Sequence, residues 1–85
     1  MNSTISFIQF KAMVAEHLGV DNKLLKRDTS FIEDLGIDSL SLVNFILKLE
    51  KIFNIRIKIE NVWTLKNIGN AYDIFIQKLK NTQGI

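Results

Sequence analysis

Asp38-Ser39 is the pair in this 85-residue chain whose setting best suits chemistry. Gly36 lets the chain turn just before it, Asp38 suits a helix N-cap, and Ser39 then stands in the first turn of a helix. A serine there exposes its hydroxyl beside backbone N–H groups that lack an intrahelical acceptor, a natural place for a phosphate. The dipeptide alone does not decide the matter, because Ser and Asp are also the ordinary residues of a helix start. Other candidates offer less. His17, the single histidine, follows Glu16 near the end of a helix, where a surface histidine is at home. One histidine without cysteine cannot assemble a zinc site. Glu33 and Asp34 are adjacent loop carboxylates with no basic partner nearby, and are expected to be solvated. No Gly-rich phosphate loop is present.

Composition excludes several function classes. Without cysteine there is no disulfide, no thiolate nucleophile and no Cys-ligated metal. With 47% hydrophobic and 24% charged residues, the chain is globular, and at this size it buries about 60–65% of its unfolded surface. The net charge is +2 and no block of five like charges occurs, so electrostatics nominates neither nucleic acid nor membrane as a partner. Met1-Asn2-Ser3-Thr4 shows no basic or apolar leader pattern. The longest unbroken apolar run, Ala12-Met13-Val14-Ala15, is far short of the ~18 residues a membrane span needs. A cytoplasmic monomer of one domain, residues 1–85, is expected.

The elements that must position Ser39 follow from periodicity. Phe7, Phe10, Val14 and Leu18 recur at i, i+3, i+7 and i+11, one face of a helix that Thr4 or Ser6 can cap and Gly19 can end. A second stripe, Ile5-Ile8-Ala12-Ala15, is expected to lie under the long loop that follows. That loop, Val20 to about Asp38, mixes turn formers with Leu24, Leu25, Phe31, Ile32, Leu35 and Ile37, which are expected to pack onto the body. From Ser39 to Phe53, Leu42, Phe45, Ile46, Leu49, Ile52 and Phe53 gather on one broad face, with Ser41, Asn44, Lys48 and Lys51 opposite. Ile55, Ile57 and Ile59 alternate with polar residues like a strand. No other segment offers a partner, so an extended connection that buries isoleucines is expected. Thr64 can cap a last helix carrying Leu65, Ile68, Tyr72, Phe75 and Leu79. Gly69 within it costs ~1 kcal/mol against Ala unless a neighbouring helix needs the space. The fold class is all-α: three long helices and a short one in a small bundle.

One stretch says more. Phe31-Ile32-Glu33-Asp34-Leu35-Gly36-Ile37-Asp38-Ser39-Leu40, the amphipathic helix ending Leu49-Glu50-Lys51-Ile52-Phe53, the segment Ile55-Arg56-Ile57 and the earlier Glu16-His17-Leu18-Gly19-Val20 together resemble the acyl carrier protein family. The resemblance covers essentially the whole chain. It implies a four-helix bundle with helices at roughly 4–18, 39–53, 60–64 and 65–80. It implies further that Ser39, flanked by Asp38 and Leu40, accepts 4′-phosphopantetheine from coenzyme A through a separate phosphopantetheinyl transferase. The arm's thiol then carries an acyl group as a thioester. Such a carrier is not an enzyme, and its missing nucleophile and general base are supplied by acyl- or aminoacyl-loading ligases and synthases.

The chain departs from that family in charge. Its members typically carry acidic residues along the helix after the serine, where this chain has Ser41, Asn44, Lys48 and Lys51. Acid is confined to Glu33, Asp34 and Asp38. The departure points to a dedicated specialised-lipid or secondary-metabolic pathway rather than housekeeping fatty-acid synthesis. Trp63 is likewise unusual. On the helical wheel, Leu40, Val43 and Leu47 form an apolar ridge beside Ser39. With Asn44 and Lys51 they make the expected partner surface. Alternatives are a peptidyl or aminoacyl carrier and a non-carrier helical interaction module. A DNA-binding helix-turn-helix fits poorly, since Ser39 to Phe53 contains only two lysines.

Overall fold

A computed structural model describes the backbone of residues 5–83 and the side chains of 5–58 and 60–80. The chain forms α1 (Phe7–Leu18), a 3₁₀ turn (Asn22–Leu24), α2 (Ser39–Phe53), α3 (Ile59–Trp63) and α4 (Ile68–Gln83). This is the small helical bundle expected. Among the described residues there is no strand, only an isolated antiparallel bridge between Ser30 and Asn67.

Helix α1 starts at Phe7 because Ser6 and Gln9 close a reciprocal cap. The Gln9 N–H donates to Ser6 Oγ at 3.1 Å and the Ser6 N–H donates to Gln9 Oε1 at 2.9 Å. Thr4, the other candidate cap, lies outside the described residues. Gly19 ends the helix at φ 70°, a left-handed position that suits glycine. Phe10 and Val14 are fully buried, whereas Phe7 and Leu18 are half-buried. The second stripe departs from expectation. Ala15 is buried, but Ile8 is 70% exposed and Ala12 is exposed. The loop touches α1 through its 3₁₀ turn and Arg27 but leaves Ile8 and Ala12 uncovered, because its next residues are tied to the start of α4. There the Gly69 N–H donates to the Arg27 carbonyl at 2.8 Å and the Ile68 N–H to the Thr29 carbonyl at 3.0 Å.

Within the loop, Leu25 and Phe31 are buried and Leu35 and Ile37 half-buried. Leu24 and Ile32, also expected to pack, are exposed. Leu24 closes the 3₁₀ turn that Asp21 caps, and Ile32 sits in the turn after Phe31, so each points opposite a buried neighbour. Gly69 is needed for close approach, but by the loop and not by a helix. A Cβ there would lie 3.0 Å from both the Cβ and the carbonyl oxygen of Arg27.

On α2 the buried residues are Leu42, Phe45, Ile46 and Leu49. Phe53 is half-buried, while Ile52 is 58% exposed, at the edge of the apolar face beside an open groove to α1. After Asn54, a left-handed C-cap, Ile55 and Ile57 enter the core as expected. The Ile59 side chain lies outside the described residues. In place of a strand partner, the Glu50 carboxylate accepts from the Ile57 N–H at 2.7 Å.

The last helix begins three residues later than expected. Thr64 terminates α3, its hydroxyl donating to the Asn61 carbonyl at 2.8 Å. Asn67 starts α4 instead, accepting from the Asn70 N–H at 2.8 Å, in keeping with the stronger capping preference of Asn over Thr. Leu65 is buried but lies outside the helix. The core centres on Phe10, whose ring lies 5.3 Å from Phe75, 5.5 Å from Tyr72 and 6.2 Å from Phe45 between centroids. These distances suit edge and tilted aromatic packing. Tyr72 is half-buried and donates its hydroxyl to the Ile5 carbonyl at 2.7 Å.

Candidate functional site

The start of α2 is delivered by a turn with little freedom. Ser30 Oγ accepts from the Glu33 N–H at 3.0 Å, and the Asp34 carboxylate accepts from the Ser30 N–H at 2.7 Å. Asp34 is therefore part of the turn rather than simply solvated, and Glu33 joins it through its backbone. The Leu35 N–H donates to the Ser30 carbonyl at 3.1 Å and the Ile37 N–H to the Phe31 carbonyl at 2.9 Å. Between them Gly36 takes φ 65°, a left-handed conformation costly for most residues. Buried Phe31 anchors this turn to the core two residues before Glu33.

Asp38 is extended, at φ −82° and ψ 168°, and caps α2. Its Oδ1 accepts from the Ser41 N–H at 2.8 Å, and its carbonyl accepts from the Leu42 N–H at 3.1 Å. The Ser41 backbone N–H, with the Ser41 hydroxyl second, holds the Asp38 carboxyl below the usual aspartate range, against a smaller opposing effect of desolvation. Ser39 is the first residue of the helix, with an exposed side chain. The N–H groups of Ser39 and Leu40 have no acceptor within the helix and face the end where a negative group is favoured.

Leu40 is 70% exposed, Leu47 is 49% exposed, and Asn44 and Lys51 are exposed as well. Val43 is half-buried, so the ridge is shallower at its middle than the wheel implies. The loop does not cover this face.

Three features escaped the sequence reading. Trp63 is 62% exposed on α3, the short helix packed against α2. Arg27 makes a bidentate ion pair with Asp73, 2.9 and 3.0 Å, and its guanidinium lies 5.2 Å from the centre of the Phe7 ring. His17 is exposed as expected, but its ring also lies 5.1 Å from that of Phe45, across the groove between α1 and α2. Long sequence separation hides such contacts: Arg27 and Asp73 stand 46 residues apart. Among the described residues no three His, Cys, Asp or Glu side chains gather as metal ligands, and no helix is long and apolar enough to cross a membrane.

Comparison with known proteins bears on this geometry. The family described as a phosphopantetheine attachment site matches residues 9–74. An acyl carrier protein of Guillardia theta is 34% identical over 79 residues, covering 93% of this chain and 98% of that protein. Among solved structures, an acyl carrier protein from Thermotoga maritima superposes with a TM-score of 0.74 at 27% identity, over 88% of this chain and 87% of that one. The oxytetracycline acyl carrier protein gives the same TM-score at 17% identity, over 96% and 90% of the two chains, a likeness of fold.

Proposed function

The chain belongs to the acyl carrier protein family, whose cofactor is covalent 4′-phosphopantetheine, and from that premise we propose that Ser39 is the attachment residue and that residues 1–85 act as one carrier domain. The observation that carries this reading is the exposed Ser39 hydroxyl at the N-terminus of α2, set between the Asp38 cap and an exposed Leu40. The residues present fit the group. The hydroxyl is accessible, first-turn N–H groups stand beside it for a phosphodiester, and the Ser30–Asp34 turn fixes where it sits.

When bound, the group supplies a thiol at the end of a flexible arm, which holds acyl groups as thioesters. In the attachment reaction Ser39 Oγ would attack the pantetheine-side phosphate of coenzyme A. The serine phosphodiester forms as the pyrophosphate bond breaks and adenosine 3′,5′-bisphosphate leaves, with proton removal assigned to the transferase. Asp38 acts as a positioning residue, because its carboxylate fixes the first turn of α2 through Ser41. The chain itself is read as a carrier and not as a catalyst, in the cytoplasm.

Docking by a transferase and by ligase or synthase partners is assigned to the outward face of α2, namely Leu40, Val43, Asn44, Leu47 and Lys51. Exposure of Leu40 and Leu47 supports this, because large apolar side chains left open beside a reactive serine suit a partner's apolar contact. The charge of the same face supports a dedicated pathway: exposed Lys51 stands there, Lys48 lies beside it at the α1 groove, and acid near this face is confined to the approach to Ser39.

The test is one mass measurement. Incubation with coenzyme A and a broad-specificity phosphopantetheinyl transferase should add one phosphopantetheine to the wild type and none to Ser39→Ala, whose far-ultraviolet circular dichroism should be unchanged. Addition to Ser39→Ala, or none to the wild type with several transferases, overturns the assignment.

A further inference from the structure

Helices α1 and α2 leave an open groove of about 490 Å³ between them. At its end towards Ser39, the His17 ring lies 5.1 Å from that of Phe45. Beyond this pair Ala12, Met13, Leu49 and Ile52 give the groove apolar walls. Two charges of opposite sign also line it, Glu16 from α1 and Lys48 from α2, and both are exposed. Among the described residues the one ion pair is that of Arg27 with Asp73, so neither of these charges has a partner in its own copy. Apolar surface continues at the rim: Ile8, one turn before Ala12 on α1, is 70% exposed, and Ile52 is 58% exposed.

We propose that two copies of the chain meet over this groove in a symmetric dimer, with Glu16 of each set against the partner's Lys48. Charge selects the occupant. A patch that carries one acid and one base is its own complement. The twofold that brings Glu16 to the partner's Lys48 brings Lys48 to the partner's Glu16 by the same operation. A purely basic or purely acidic partner would satisfy one of the two and repel the other. Ala12 has no long side chain, so the copies can approach closely there, and the contact takes Ile8 and Ile52 out of water. The face assigned to transferase and synthase stays free. At 100° per residue, Leu47 lies about 140° round α2 from Ile52. Ser39 is not part of the groove, so the dimer presents two serines that partners reach independently. The patch is small, which puts the dissociation constant on the order of 100 μM. The monomer expected from the sequence is its dilute form.

Sedimentation velocity of the wild type from about 10 μM to about 1 mM should show monomer passing into dimer. Glu16→Lys and Lys48→Glu, both at exposed positions, should each dimerise at least about tenfold more weakly, because like charges then face each other twice. Mixed in equal amounts, the two variants should pair with each other at close to the wild-type strength, since each supplies the charge the other lacks. With one of them isotope-labelled, addition of the other should shift the amides of Ala12, Met13 and Ile52 and leave those of Leu40 and Leu47 in place. A monomer across the whole range, a dimer that neither charge reversal weakens, or shifts centred on Leu40 and Leu47 overturn the proposal. A mixture that stays monomeric overturns it as well, because the attraction of Glu16 and Lys48 then lies within one copy. None of these results bears on Ser39, which is tested by the phosphopantetheine mass.

Discussion

Two stretches interrupt the long helices, 20–38 with its 3₁₀ turn and 54–67 with the short α3, and they are held in different proportions by hydrogen bonds and by burial. The first is clamped through its backbone. The Arg27 and Thr29 carbonyls accept from the N–H groups that open α4, and Ser30 and Asp34 bond reciprocally. The second is held by depth: Ile55 and Ile57 are buried, and one carboxylate, Glu50, receives the Ile57 N–H. Burial is non-directional and fixes how deep a segment lies, whereas a hydrogen bond fixes distance and angle as well. The difference matches what each stretch must do. The first ends on Asp38 and Ser39 and must present a hydroxyl at a set place; the second only returns the chain to the bundle.

The sharpest way to break this comparison is to empty one apolar anchor in each stretch. Phe31→Ala should cost about 3–5 kcal/mol and Ile57→Ala about 2–5 kcal/mol, read by urea unfolding. Stability alone does not separate them. The Phe31 carbonyl also holds the Ile37 N–H, two residues before Ser39, so the collapse left by Phe31→Ala reaches the site. At a temperature where both variants remain folded, phosphopantetheine addition should slow several-fold in Phe31→Ala and stay near wild type in Ile57→Ala. Equal rates would mean that both stretches are merely packed.

A second substitution tests the clamp itself. Gly69→Ala removes a residue that disfavours helix by ~1 kcal/mol, so propensity alone predicts a gain. The added Cβ would meet the Arg27 carbonyl at 3.0 Å, and that carbonyl is already held by the Gly69 N–H. A backbone group has no rotamer through which to escape, so a net loss of about 1–3 kcal/mol is expected in urea unfolding. Unchanged or raised stability would show that the loop slides along α4 freely.

These contrasts explain what was legible in the sequence. The helical faces were, because Phe10, Val14, Leu42, Phe45 and Leu49 repeat at the helical period and are buried. So was the start of α2, because Asp38, Ser39 and Gly36 each act locally: a cap, a first turn and a left-handed residue. The loop's course was not, since it depends on Ile68 and Gly69, some forty residues onward, and without it Ile8, Ala12, Leu24 and Ile32 could not be assigned. The start of α4 was misread because Thr64 and Asn67 are both capping residues three positions apart, and side-chain bonds from Asn67 and Asn70 decide between them.

The smallest expected effect concerns charge at the end of the better-held stretch. The Ser41 N–H and hydroxyl keep the Asp38 carboxyl below its ordinary value, near 3.9 in an unfolded chain. A carboxyl whose folded pKa is depressed contributes stability above its unfolded pKa, and that contribution is lost as pH falls through the folded value. Asp38→Asn keeps a cap of similar shape without the charge. The wild type should therefore exceed Asp38→Asn by a constant margin from pH 7 down to about 4, and the two should converge below that. Urea midpoints of both proteins at half-unit steps between pH 2.5 and 7 would trace the curve, with the wild type falling and the variant following the background of the other groups. A margin that stays flat to pH 2.5 would mean that Asp38 holds Ser39 in place by geometry alone, and that the carboxylate could serve a partner's cation without loss to the fold.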